Sequence, residues 1–235
     1  MTQSQNLNTT INRVAFWTAI ILLVSGVLSL FFPLDAPAGP FADRMMWYST
    51  NLGAFVVGWT IQMIAMLTLS GVFAAIAWHT RVTHPLSAFL AGVALLMSLM
   101  AFLIPKFIAI WSIPQMVTAS ASVTADAAIA EQLFQLLHPS LSFSLFTSFD
   151  YLGFWMYGLF SLLVALPLFR LGLSGKIAGA GFGAFGILYH IFVFAVMTRS
   201  LEGVAIGSFA EGMFLILLVP VVAMIFYFRT EMKKA

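Results

Sequence analysis

The sequence predicts an all-α protein, a polytopic membrane bundle of six transmembrane helices. Apolar residues make up 62% of its 235 residues and charged residues only 8%, a composition outside the range of soluble globular proteins. A helix that crosses the hydrocarbon core of a bilayer takes roughly 20 apolar residues. Segments of this kind occur at 14–34, 52–78, 86–105, 151–170, 176–198 and 211–228. We therefore expect one transmembrane helical domain over residues 1–235.

Hydropathy alone does not define the start of the first predicted span or the end of the third. The first follows a polar stretch, residues 1–12, that carries no basic cluster, and no small-residue cleavage pattern follows the apolar segment. We therefore expect it to remain as a helix and not to be removed as a signal peptide. The third span either ends at Pro105 or runs past Lys106 to Trp111.

The basic residues predict the orientation of the bundle. With six spans, both termini and the second and fourth loops lie on one side of the membrane. That side carries Arg13, Arg81, Arg170, Lys176, Arg229, Lys233 and Lys234, and the other carries Arg44, Lys106 and Arg199. The positive-inside rule makes the first side cytoplasmic. We expect an N-in/C-in arrangement with both termini in the cytoplasm.

The outer segment 106–150 is long enough to carry structure of its own. Apolar residues recur there at helical spacing with acidic and amide residues between them, a pattern typical of a short amphipathic helix that lies on the membrane surface or caps the bundle. The apolar positions are Ile129, Leu133, Leu136 and Leu137. His138 and Pro139 are expected to end this helix.

The first outer loop combines charged and aromatic residues. They are Asp35, Asp43, Arg44, Trp47 and Tyr48. Trp and Tyr are enriched at membrane–water interfaces. We interpret these aromatic side chains as an interfacial anchor.

A glycine ladder opens the fifth span, where Gly175, Gly179 and Gly183 recur every four residues. Small residues at this spacing let a neighbouring helix approach closely in lipid. The sequence therefore predicts a helix-packing face. The alternative is a flat wall against which a lipid, a quinone or a pigment binds.

His190 is the one histidine well inside a predicted span, in its outer half. Ionisable groups at such positions are rare and often functional. Polar residues of other spans could join it around an outward-facing cavity, with Trp59 as its floor. These companions are Gln62, Lys106, Asp150 and Glu211. The alternative is that His190 is a neutral, hydrogen-bonded core residue.

Several kinds of chemistry find no support in the sequence. The chain has no cysteine, which excludes disulfides and thiolate metal sites. It has no histidine pair with metal-ligand spacing, so we predict no metal site and no cofactor. A net charge of +2 is too small to indicate a nucleic-acid partner, and the expected partner is the lipid bilayer.

The C-terminal half resembles a family of uncharacterised bacterial multi-pass membrane proteins, a domain of unknown function. The resemblance lies in YLGFWMYGLFSLLVALPLFR from Tyr151, the turn LGLSGK from Leu171 and IAGAGFGAFG from Ile177. It implies a bacterial inner-membrane location and a bundle of six or slightly more helices. It implies no activity and no site residues.

These observations favour a non-enzymatic integral membrane protein that packs against a partner protein or a second copy, or that binds a hydrophobic ligand. A second hypothesis is a small transporter with an outward-facing cavity around Gln62, His190 and Glu211. A third is an intramembrane enzyme in which His190 and either Asp150 or Glu211 form an acid–base pair.

Overall fold

The computed structural model describes residues 3–122 and 125–233, without the side chains of residues 3–5, 125, 204 and 211. The described chain is helical between short connections and contains no strand. Its helices are α1 (Gln3–Ser29), α2 (Phe41–Thr80), α3 (Pro85–Phe107), α4 (Ile113–Ser120), α5 (Ala125–Leu136), α6 (Leu145–Leu168), α7 (Gly172–Met197) and α8 (Val204–Lys233), with a π-helix at Ile108–Ser112 between α3 and α4.

Six helical segments of the described chain are long and apolar enough to cross a membrane. They are α1, α2, the continuous run 85–120, α6, α7 and α8, which confirms the predicted all-helical membrane bundle. The predicted first span, 14–34, was wrong at its end, because α1 stops at Ser29 and residues 30–34 form the connection to α2. Pro33, which lacks a backbone donor, lies in this connection.

The six spanning segments pack as a closed ring in the order α1, α2, α3, α6, α7, α8, with α8 returning to α1. We call this the six-helix ring. Its core is aromatic: Phe73 stacks on Phe160 with ring centroids 4.5 Å apart, and Phe182 meets Phe73 edge to face. Tyr157, fully buried, shares a hydrogen bond of 2.8 Å with Ser70 of α2. Packed aromatic side chains therefore fill the middle of the six-helix ring.

Both ends of the described chain lie at the same end of the ring. Trp78 Nε1 donates to Asn8 Oδ1 (2.9 Å), and His79 Nε2 is hydrogen-bonded to Asn12 Oδ1 (2.7 Å). The His79 ring also lies 5.4 Å from the ring of Tyr227. These contacts join the first turns of α1, the last turn of α2 and the last turns of α8.

Two of the spanning segments are much longer than a bilayer requires. At about 1.5 Å per residue, the 40 residues of α2 extend about 60 Å, twice the roughly 30 Å hydrocarbon core. The helical run 85–120 has 36 residues. Both segments therefore extend beyond the hydrocarbon core.

These extensions build a second apolar core next to the six-helix ring. We call it the end cap, made of residues 34–59, 108–120 and 125–146. Its buried side chains include Tyr48, Phe55, Ile113, Phe134 and Phe146. The predicted loop 106–150 was therefore wrong in its first part, because residues 106–120 continue the third span as helix. Pro105 removes only one backbone donor, and the helix continues by widening into the π-helix.

The helix α5 occupies the segment where an amphipathic helix was predicted, but it buries a different face. Ala130 and Phe134 pack into the end cap, at 3% and 1% exposure. Of the four apolar residues that predicted this helix, Ile129, Leu133 and Leu136 are exposed, and Leu137, one residue past the end of α5, is partly buried against the end cap. The placement of α5 on a membrane surface stays a prediction.

Candidate functional site

A cavity of about 530 Å³ lies between the end cap and the six-helix ring. Its walls come from α2, α3, α6 and α8, and from the two connections that precede α2 and α6. Binding sites for small molecules commonly have volumes of about 300–1,000 Å³. The cavity is therefore large enough for a ligand the size of a lipid chain or a drug.

Lys106 and Asp150 form an ion pair at the edge of this cavity. Lys106 is the last but one residue of α3, two residues before the π-helix begins, and Asp150 lies in the second turn of α6. The ammonium of Lys106 donates to Oδ1 of Asp150. It also lies 5.0 Å from the ring of Phe102 and 5.6 Å from the ring of Trp59. Because the pair is buried, these contacts offset part of the cost of removing two charges from water.

Helix α2 presents Trp59, Gln62 and Met66 to the cavity, at spacings of three and four residues that place them on one helix face. The Trp59 indole nitrogen donates to the carbonyl of Leu34 (3.0 Å), which fixes the ring against the α1–α2 connection. Close to it, a Cβ on Gly58 would lie 3.1 Å from the carbonyl oxygen of Pro33. The Gln62 amide has no hydrogen-bond partner within the described part of the chain.

Asp35 forms hydrogen bonds that link the two connections bordering the cavity. It accepts hydrogen bonds from Arg44 Nη2 (2.6 Å), from the hydroxyl of Tyr48 and from the hydroxyl of Ser140. The backbone N–H of Ala36 donates to the same carboxylate (2.8 Å). Ser140 lies 105 residues further along the chain and lines the cavity. Asp35 therefore ties the connection before α2 to the connection before α6.

Tyr48 was interpreted from the sequence as part of an interfacial aromatic anchor, which was wrong, and the neighbouring Arg44 is buried with it. Tyr48 is fully buried and Arg44 is 7% exposed. Arg44 also donates to the carbonyls of Ala36 and Pro37, both at 3.2 Å, and its guanidinium lies 5.7 Å from the ring of Phe134. Hydrogen bonds to the connection, and not headgroup contact, determine their positions.

His138 completes this group from the connection after α5. Its Nδ1 accepts the backbone N–H of Ser140 (3.1 Å) and lies 4.0 Å from Asp35 Oδ2. Burial lowers the pKa of His138 below its ordinary value of 6.5, and the nearby Arg44 lowers it further, while Asp35 acts in the opposite direction. His138 is therefore held in its neutral form.

His190 does not line the cavity. It is half-buried between α6 and α7, where its Nδ1 donates to the carbonyl of Gly186 (2.7 Å). Its ring lies 6.4 Å from the ring of Trp155, and a Cβ at Gly158 would lie 3.5 Å from its Cε1 atom. The other predicted companion, Glu211, has a side chain outside the described residues, and its role stays a prediction.

The glycine ladder of α7 lies at the α6–α7 interface. A Cβ at Gly179 would lie 2.7 Å from the carbonyl oxygen of Ala165, and one at Gly175 would lie even closer to that of Leu168. Contacts this short with backbone atoms leave no room for a side chain. Gly183 differs, because its nearest neighbour would be the Cβ of Ala165 at 3.7 Å, an ordinary contact distance.

The structure therefore brings together four of the six predicted cavity residues, namely Trp59, Gln62, Lys106 and Asp150. Sequence reasoning missed Asp35 and Ser140 as part of the site. A signal for Asp35 was present, because an acidic residue lies in a proline-bounded apolar connection with Arg44 one turn into the next helix. Within the described residues, no three His, Asp or Glu side chains converge as a metal-binding group.

No family model, curated protein or solved structure matches this chain. The resemblance of the segment from Tyr151 to bacterial multi-pass proteins stays a prediction.

Proposed function

We propose that this protein is a non-enzymatic membrane protein that binds a hydrophobic or amphiphilic small molecule in the cavity between the end cap and the six-helix ring. The observation that carries this proposal is the convergence of the Lys106–Asp150 pair and the unpartnered Gln62 amide on one cavity of about 530 Å³.

The lining supports an amphiphile over a polar metabolite. Apolar side chains of three helices and two connections, among them Met66, Phe154 and Phe214, form most of the wall. The polar groups are few and come from α2, α3, α6 and the connection before α6. Ligand sites of this composition bind the apolar body of a molecule by burial and orient it through a small number of polar contacts.

The packing below the cavity supports binding over transport. One helical turn beyond Met66, Ser70 and Tyr157 share their hydrogen bond of 2.8 Å. The stacked rings of Phe73 and Phe160 follow, both fully buried. A transported solute would have to separate these rings. Transport and the acid–base role for His190 remain hypotheses without a contact that favours them.

A location in a bacterial inner membrane with both termini in the cytoplasm is the second part of the proposal. It is supported by the seven basic residues assigned to that side and by the contacts of α1 and α8 with the same end of α2.

A pair of glycines on α8 allows a matched test. Gly207 lines the cavity, whereas Gly212 is exposed and does not. A Cβ at either position meets no atom within 4 Å, so α8 should tolerate a side chain at both. Gly207→Phe fills the cavity and Gly212→Phe leaves it open.

Native mass spectrometry after release from mild detergent would measure adducts of added dodecanol or dodecanoate. We expect a one-to-one adduct with at least one of these probes for the wild type and for Gly212→Phe, and none for Gly207→Phe. Equal adduct formation by both variants, or none by the wild type with either probe, would contradict a ligand in this cavity.

A further inference from the structure

The carboxylate, and not the ammonium, is the accessible partner of the buried ion pair. The Lys106 side chain is 5% exposed and the Asp150 side chain 21% exposed. Lys106 is enclosed by Asp150 and by the rings of Phe102 and Trp59. A ligand in the cavity therefore meets the oxygen atoms of Asp150.

Most of the other donors on the cavity wall are directed into the protein. The hydroxyl of Ser140 donates to Asp35, the hydroxyl of Thr147 donates to the carbonyl of Leu141 (2.6 Å), and the Trp59 indole donates to Leu34. The Gln62 amide, which can both donate and accept, has no partner within the described residues. Asp150 can only accept while it is ionised.

The ion pair also restricts the charge of the ligand. Whichever partner holds the shared proton, Lys106 and Asp150 together carry no net charge. A second anion would lie against the half-buried Asp150 carboxylate, and a cation would leave a net charge in an apolar wall. Burial of an uncompensated charge in such surroundings is costly.

We infer that the ligand is an uncharged amphiphile whose head carries a hydroxyl, the chemistry shared by long-chain alcohols and by mono- and diacylglycerols. This inference rests on the proposed function. The hydroxyl donates to Asp150 and accepts from the Gln62 amide, and the chain lies against Met66, Phe154 and Phe214.

The test uses four amphiphiles with alkyl chains of nearly equal length and different heads: dodecanol, dodecyl methyl ether, dodecanoate and dodecylammonium. Their dissociation constants are measured by native mass spectrometry on the full-length protein. We expect dodecanol to bind about tenfold more tightly than the ether, as expected for the loss of one hydrogen bond to a charged group. Dodecanoate and dodecylammonium should bind more weakly than dodecanol.

A variant connects binding of the ligand head to the cavity. Gln62→Leu removes the amide donor and leaves the ion pair intact. Because a hydroxyl oxygen and an ether oxygen both accept from this amide, the variant should weaken binding of dodecanol and of the ether alike, several-fold. Thr60→Leu, at an exposed position of the same helix, is the matched control and should bind like the wild type.

The outcomes separate this inference from the proposed function. Equal binding of all four probes, or tightest binding of dodecanoate or dodecylammonium, overturns the inference and leaves a ligand-binding cavity. Absence of binding by every probe overturns both. Monolauroylglycerol, compared with dodecanol in the same assay, distinguishes an acylglycerol site from a simple alcohol site.

Discussion

Lys106 of α3 donates a hydrogen bond to Asp150 of α6, 44 residues along the chain, at the point where the third span widens into a π-helix. The pair joins α3 to α6 within the six-helix ring and forms one edge of the cavity. Single-turn π-helices occur often at functional sites. The irregular helix and the buried pair therefore mark the same region of the molecule.

Removal of one partner of this pair should be strongly destabilising. Lys106→Met leaves the Asp150 carboxylate without its counter-charge, and breaking a buried ion pair in this way costs about 3–5 kcal/mol. The free energy of unfolding in mixed detergent measures the effect.

The matched control is the double variant Lys106→Met/Asp150→Leu, which removes both charges. Replacement of a whole buried pair by apolar residues is often neutral or stabilising, so the double variant should recover most of the lost stability. Equal destabilisation of the single and the double variant would mean that packing, and not charge, accounts for the effect.

This pair was predictable in part. Lys106 and Asp150 are ionisable residues at the ends of apolar segments, where such groups are rare. The sequence therefore predicted both as cavity residues. The sequence could not show that they touch, because no local periodicity relates α3 to α6. His190 satisfied the same criterion, but its Nδ1 is occupied by the Gly186 carbonyl of its own helix.

Asp35 should be more important for stability than its neighbour Asp43. Asp35→Asn removes the charge that binds the buried Arg44 and weakens the hydrogen bonds from Tyr48 and Ser140, at a cost of about 2–3 kcal/mol, typical of hydrogen bonds to charged groups. Limited proteolysis should also cleave the connections at 30–40 and 137–144 faster in this variant, because the hydrogen bonds of residue 35 that link them are weaker.

Asp43 provides the matched control for this charge removal. It is exposed and lies in the first turn of α2, where a carboxylate contributes up to about 1 kcal/mol through the helix dipole. Asp43→Asn should therefore leave the proteolysis pattern unchanged. Identical effects of the two substitutions would refute the role assigned to Asp35.

Stability should fall on mild acidification because of His138. Its folded pKa lies below the unfolded value of 6.5, so the unfolded state binds more protons between these two values. The contribution of neutral His138 is complete above pH 6.5 and is lost as the pH falls through the folded pKa.

The control for this prediction is His138→Asn, which can accept the Ser140 N–H but does not titrate. Unfolding midpoints measured at several pH values should decline less steeply below pH 6.5 for this variant than for the wild type. Superimposable profiles would show that His138 does not contribute to the acid sensitivity.

The glycine ladder should not behave uniformly. Gly179→Ala places a methyl group 2.7 Å from the Ala165 carbonyl oxygen, so α6 and α7 must separate, at a cost of about 1–3 kcal/mol typical of overpacking. A methyl group at residue 183 would have its nearest neighbour at 3.7 Å, so Gly183→Ala should leave the stability unchanged or raise it slightly. Thermal unfolding of both variants measures the difference, and equal loss of stability would contradict the asymmetry.

The end cap was the part of the fold that sequence analysis could not predict. Hydropathy detects the apolar segment 52–78, whereas residues 41–51 extend α2 at its N-terminal end with mixed polarity. The hydrogen bond from Tyr48 to Asp35 and the contact of Arg44 with the ring of Phe134 help to order this extension. These contacts join residues far apart in the chain. Likewise, the helical spacing of Ile129 and Leu133 predicted a helix, but the end cap buries the adjacent face with Ala130 and Phe134.

The measurement that tests the central claim most directly is a density map of the full-length protein, purified in its native lipids, at a resolution that shows bound lipid chains. The account predicts one elongated density between Met66 and Phe214, with its polar end beside Asp150 and Gln62. A cavity that contains only water-sized peaks, or that is closed by rearranged side chains, would contradict it.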